Sequence, residues 1–200
     1  MQGIGLAVVL VGISGAIGTF ITGEASTLVF IISLVMGGLI GEILGIEQGF
    51  HRLAAAIEGK VSKGKDGFAK GFITGSILYC VGTMAIVGSI ESGVLQNHDI
   101  LFAKSALDGI TAVIFGAAMG PGVIFSFVPV FIYQGAITLA SGLAADYITD
   151  PMMDQISVIG GILVFAIGLN LLGITKIKLA NFLPAIFVPV VYYGLAGLFT

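Results

Sequence analysis

Apolar runs of about 20 residues follow one another along nearly the whole chain with only short polar breaks, and no other feature limits its fold so tightly. A helix of that length crosses the hydrocarbon core of a bilayer. Seven spans can be placed, at residues 3–21, 27–46, 68–90, 102–119, 122–146, 156–174 and 180–199, called A to G below. The chain is therefore read as all-α, a polytopic transmembrane helix bundle forming a single integral membrane domain over residues 1–200. Composition agrees: 57% of residues are hydrophobic and 10% charged, far from the soluble norm. No segment is long and polar enough for a separate soluble domain. The 31 glycines fit the same reading, since glycine lets neighbouring membrane helices approach closely.

Residues 3–21 have no Lys or Arg before them and no small-x-small pattern after a short core, so they read as a retained helix rather than a cleaved signal. The segment 47–67 is polar, with Phe50, Leu53, Ala54 and Ile57 at helical spacing, which suits a short helix lying at the interface. Basic residues set the orientation. With the B–C loop inside, Arg52, Lys60, Lys63, Lys65 and Lys70 are cytoplasmic, and alternation also puts Lys176 and Lys178 inside, leaving only Lys104 outside. The external loops then hold Glu24, Glu91, Asp99, Asp146, Asp150 and Asp154, and the C-terminus is external. A re-entrant span D would reverse Lys176 and Lys178, so seven crossings fit the charges better.

Two weak internal matches suggest helix-hairpin repeats. Residues 5–19 align with 75–89, bringing Gly5, Val11, Gly12 and Gly18 onto Gly75, Val81, Gly82 and Gly88; residues 42–46 align with 170–174, so that Glu42 and Asn170 fall at the same place. Small residues also line helix faces: Gly5, Gly12, Gly15 and Thr19 in A; Gly75, Gly82 and Ser89 in C; Ser105, Gly109, Ala112, Gly116 and Gly120 in D. Asp108 stands beside the last stripe, which is expected to pack closely and spare it the lipid, where a central Asp costs about 2.5–3.5 kcal/mol.

Lys104, one turn earlier, can pair with Asp108. The ion pair reads either as structural or as part of a polar pathway. Glu42 reads as a snorkelling carboxylate or as a pathway group, Asn170 and Gln134 as helix bridges or pathway groups, and Glu91 as a helix terminus or part of a vestibule. Pro121 just before E, Pro129 in E, and Pro184 and Pro189 in G each remove a backbone donor and can break a span. His51 and His98 read as surface histidines, and Cys80 beside Tyr79 as core packing. One cysteine allows neither an internal disulfide nor a thiolate metal site. No phosphate loop, HExxH or G-x-S-x-G is present, so no enzyme, metal or cofactor is expected. The net charge of -3 with no basic tract excludes nucleic acid as a partner.

The run from Gly71 through IESGVLQNHDILFAKSALDGITAVIFGAAMGPGVIFS, then IYQGAITLASGL, GGILVFAIGLNLLGITKIKLANFLPA and, earlier, GGLIGEILGIE, resembles the bacterial membrane proteins grouped as domain of unknown function 554, the YqgA and YdfK type. The resemblance covers almost the whole chain, in order. It implies a polytopic inner-membrane protein and a transport role with no established substrate, so no catalytic residue carries over. It also implies one more glycine-rich span before MQGIGLAVVLVGIS, giving eight spans in the native protein and making Met1 an internal start. The leading expectation is a transporter or channel for a small solute or ion, gradient-driven or passive, with Glu42, Asp108, Asn170, Gln134, Lys104 and Glu91 along a polar path. The alternative is a non-transporting membrane scaffold or sensor subunit. The lipid bilayer is the first partner, and a homodimer is the expected assembly.

Overall fold

The computed structural model describes residues 2–23, 25–61, 67–141 and 149–198, and its regular structure there is helical, joined by short turns and connections. Helices α1 (Gln2–Thr22) and α2 (Thr27–Leu44) are followed by α3 (Ile46–Val61), which is amphipathic and overlaps the segment 47–67 expected at the interface. Then come α4 (Phe68–Cys80), α5 (Thr83–Val94), α6 (Asp99–Met119), α7 (Gly122–Phe125), α8 (Phe127–Ala140) and α9 (Asp150–Leu172), a 3₁₀ helix (Leu179–Ile186) and α10 (Val188–Leu198). Among the described residues six helices are long and apolar enough to cross a membrane, and a seventh span results if the bent pair α4 and α5 counts as one. Each of these overlaps a span read from the sequence. The ends of spans E and G, and Glu24, Lys63, Lys65 and Asp146, lie outside the described residues.

The chain divides into two compact units. The first holds α1, α2, α9, the 3₁₀ helix, α10 and the stretch Val81–Thr83; the second holds α3 to α8 apart from that stretch. In the first, α9 is the most enclosed helix, burying Met152, Ile156, Ile159, Leu163 and Ile167 among others. Helix α1 runs antiparallel along it through a glycine seam. A side-chain carbon at Gly5 would stand 2.8 Å from Leu172, one at Gly12 would fall on the Phe165 backbone, one at Gly161 on Ala16 and one at Gly168 on Val9. Each contact sets a bare backbone against a larger neighbour, and the repeat of three or four residues keeps the seam facing its partner. The expected small face of span A is this seam. Helix α2 receives the 3₁₀ helix in the same way, with Gly37 against Ala185, Gly38 against Phe182 and Gly41 against Asn181.

In the second unit Gly122 meets the Phe68 carbonyl, Gly75 lies against Ser126, and Gly93 against Thr138 and Ser141. Phe72 is fully buried between Phe50 of α3 and Phe68. Large apolar side chains on outward faces, such as Ile43 at 83%, Phe131 at 77% and Leu139 at 89% exposure, suit contact with lipid tails.

Three expectations are corrected. Span C is not one helix: α4 stops at Cys80, and the chain bends by 59° before continuing as α5. Gly82 there has φ +148°, a conformation that glycine tolerates and other residues resist. Gly75, Gly82 and Ser89 therefore share no continuous face, and the match of 5–19 to 75–89 sets a straight helix against a broken one. Secondly, the stripe on span D does not pack: Gly109 and Gly116 have open space where a side chain would project, and the buried residues of α6 are Lys104, Phe115 and Met119. Thirdly, the prolines stand where a missing N–H does little harm. Pro121 precedes α7, while Pro129 and Pro189 lie in the first turns of α8 and α10. Only Pro184 sits inside a helical segment, the 3₁₀ helix, so span G changes helix type at Phe187. Span D itself is an unbroken 21-residue helix, long enough to cross.

Candidate functional site

The buried side of α6 carries the chemistry. Lys104, Asp108, Thr111, Phe115 and Met119 recur at three- and four-residue steps and so lie along one face. Asp108 is the tenth residue of α6, about 14 Å along a helix of about 30 Å, which is near its middle. The Lys104 ammonium donates to Asp108 Oδ2 across one turn, with the Lys104 side chain 9% and the Asp108 side chain 28% exposed. An apolar span does not bury such a pair without cost, since both charges give up water.

Helix α4 faces this pair with its last two residues. Tyr79 is 94% buried, its phenolic oxygen is enclosed, and it makes no hydrogen bond of normal geometry, although Thr111 stands beside it and Asp108 is within electrostatic reach. Thr111 turns its own hydroxyl proton towards backbone, at 2.9 Å from the Leu107 carbonyl and 3.0 Å from that of Asp108. Cys80, 1% exposed, lies near both Lys104 and Asp108, and Tyr133 of α8 lies near Cys80. The result is one carboxylate, one ammonium, three hydroxyls and a thiol within one helical unit, at the point where α4 breaks off.

The other residues read from the sequence lie elsewhere. Gln134 of α8 has an enclosed Nε2 without a hydrogen-bond partner. Glu91 of α5 is exposed to solvent or lipid only in part and accepts from Asn97 Nδ2 at 3.2 Å, which ties the α5–α6 connection. Glu42 and Asn170 belong to the first unit. Glu42 has a 57% exposed side chain and pairs with Lys178 Nζ at 2.8 Å and with Asn181, so it does not line an enclosed path within that unit. Asn170 is a loop staple: its Oδ1 accepts from Thr175 Oγ1 at 2.7 Å and Ile177 N at 3.0 Å, and its Nδ2 donates to the Ile177 carbonyl. Glu42 and Asn170 do occupy equivalent places, three residues before Gly45 and Gly173, which close α2 and α9 in the same left-handed cap.

Tyr79, Thr111 and Tyr133 were not visible as site residues in the sequence. A phenol in the last turn before Val81–Gly82 is the signal that could have pointed to Tyr79, given that the glycine there breaks the span.

Comparison with known proteins gives three results. The family model described as "Protein of unknown function (DUF554)" matches residues 1–194. The chain is 34% identical over 189 residues to "Uncharacterized membrane protein YdfK" of Bacillus subtilis (strain 168), covering 94% of this chain and 80% of that protein. It is 30% identical over 161 residues to "Uncharacterized protein YqgA" of Escherichia coli (strain K12), covering 78% of this chain and 68% of that one. No solved structure matches.

Proposed function

Since the chain belongs to the DUF554 family of membrane proteins, whose relatives above are described as uncharacterized, we propose from the site itself that it is a transporter or channel for a small solute or ion. The observation that carries this is Lys104, 7% exposed and paired with Asp108 at mid-helix beside the enclosed hydroxyl of Tyr79. Ionisable groups inside a span are costly to keep, and their common use is to mark a pathway. The break between α4 and α5 adds to this reading, because discontinuous helices near the membrane midplane are where transporters build their sites.

In this reading the protein sits in the bacterial inner membrane as a multi-pass protein with residues 47–67 on the cytoplasmic side, has no enzymatic chemistry, and works passively or on an ion gradient, as a homodimer. The pathway runs past Asp108, Lys104, Tyr79 and Thr111, while Glu42 and Asn170 hold helix ends. The test is solute flux into proteoliposomes, with solutes first screened by thermal stabilisation of the purified protein. Asp108→Asn abolishes flux while elution and helix content stay normal. Flux of every screened solute unchanged by that substitution would overturn the assignment and leave a scaffold or sensor subunit as the better reading.

A further inference from the structure

The cluster around Asp108 sets one buried ammonium against one carboxylate. Lys104 brings three N–H donors with Asp108 as the ion-pair acceptor. Tyr79 brings an enclosed O–H that makes no hydrogen bond of normal geometry, with Thr111 beside it. Thr111 spends its proton on backbone carbonyls, and Cys80 adds a weak S–H donor. Apart from the Asp108 carboxylate, then, the side chains here suit an anion, and that carboxylate stands where an anion would stand.

We propose that this cluster binds a small monovalent anion of the carboxylate type together with one proton. Resting on the reading above, this names its solute class and its coupling ion. A proton taken up on Asp108 makes the side chain a neutral acid and frees the Lys104 ammonium. The incoming carboxylate then accepts hydrogen bonds from Lys104 Nζ and Tyr79 Oη. Charge balances in both states: Lys104 offsets Asp108 when the cluster is empty, and Lys104 offsets the bound anion, with Asp108 protonated, when it is loaded. A net charge in a low-dielectric span is thereby avoided at each stage. A lone cation would leave the cluster positive, and a lone anion would leave it negative.

The titratable groups facing Asp108 are few. Lys104 lies on its own helix, and Tyr79 and Cys80 come from α4. Helix α7, which also packs on α6, has none in Gly122–Phe125, and Glu91 of α5 is tied to Asn97 beyond the start of α6. The pH dependence of anion binding is thus assigned to Asp108.

The experiment uses the purified full chain and reads its melting temperature with sodium acetate or sodium lactate added, against sodium sulfate, choline sulfate and glycine, between about pH 4 and 8. Acetate or lactate stabilises the wild type, and its apparent affinity falls about tenfold per pH unit above the titration of Asp108. In Asp108→Asn the anion still binds but pH no longer matters. In Lys104→Gln binding weakens at least tenfold, Lys104→Arg restores it, and Tyr79→Phe weakens it by about tenfold. If Lys104→Gln does not fold, the loss of pH dependence in Asp108→Asn still decides. Stabilisation by acetate that is the same in all variants, or independent of pH in the wild type, overturns the inference. Glycine acting at every pH through Lys104 and Asp108 overturns it too but keeps the solute site. Flux of some other solute that depends on Asp108, with no effect of acetate or lactate, has the same meaning. Flux untouched by Asp108→Asn removes both.

Discussion

Replacing Lys104 by methionine leaves Asp108 without its counter-charge in the middle of a span, and the consequence can be sized from exposure. Breaking a fully buried ion pair from one side costs about 3–5 kcal/mol, because the remaining charge stays desolvated. Here the Lys104 side chain is 9% and the Asp108 side chain 28% exposed, so the carboxylate recovers some solvation and the cost falls to about 2–3 kcal/mol. For a chain of this size that lowers the melting temperature by roughly 5–10 °C. Asp108→Leu, which strands the more deeply buried ammonium, costs at least as much. The double variant Lys104→Met with Asp108→Leu puts an apolar pair in the same volume and returns to within about 1 kcal/mol of the wild type. Thermal melts of the detergent-purified variants, set out as a double-mutant cycle, read these values, and flux on the double variant then separates stability from function: it folds and does not transport. Two single variants as stable as the wild type would mean that the pair is fully hydrated, and a double variant as weak as the sum of the singles would mean no coupling. Either result refutes the reasoning.

Other outcomes follow from the packing. Gly12→Ala sets a methyl on the Phe165 backbone and costs about 1–3 kcal/mol, whereas Gly18→Ala, with open space around it, is neutral or stabilises by up to about 1 kcal/mol through helix propensity; thermal melts distinguish them. Gly82→Val forces a β-branched residue to adopt a φ of +148° and destabilises by about 1–3 kcal/mol, or straightens the break, which circular dichroism reads as added helix. Asn170→Ala removes the staple of the α9 end, so amide exchange rises at residues 173–178 while flux persists. Glu42→Gln, at an exposed pair, leaves both melting and flux unchanged.

The spans were legible because a crossing needs a length of apolar sequence that few other structures require, and among the described residues six such helices are found, with a seventh if the bent pair α4 and α5 counts as one. The seam of α1 was legible too, since Gly5 and Gly12 recur with helical period. What the sequence hid was which small residues serve packing and which serve bending. Gly12 and Gly82 align in sequence, yet one lies in a straight helix against Phe165 and the other ends a helix; the difference comes from the tertiary neighbours, which no local pattern contains. The stripe on α6 misled for the same reason. At the site, Lys104 and Asp108 stood out as charges in an apolar run, but Tyr79, Thr111 and Tyr133 are ordinary residues for a membrane helix and gain meaning only when α4, α6 and α8 bring them near one another. Glu42 and Asn170 stood out equally, but folding spends them on Lys178 and on the loop after α9.

Cys80, the chain's single cysteine and a neighbour of Lys104 and Asp108, offers the most direct measurement. It is 1% exposed in this structure, so a charged, membrane-impermeant thiol reagent reaches it only if the pathway opens to water. The account predicts that Cys80 of the wild type, reconstituted in vesicles, is labelled from an aqueous side, and that a solute seated at the cluster slows the labelling. A thiol that stays unreactive from both sides, while the same protein reacts once denatured, would contradict the claim that water and solute pass the Lys104–Asp108 pair.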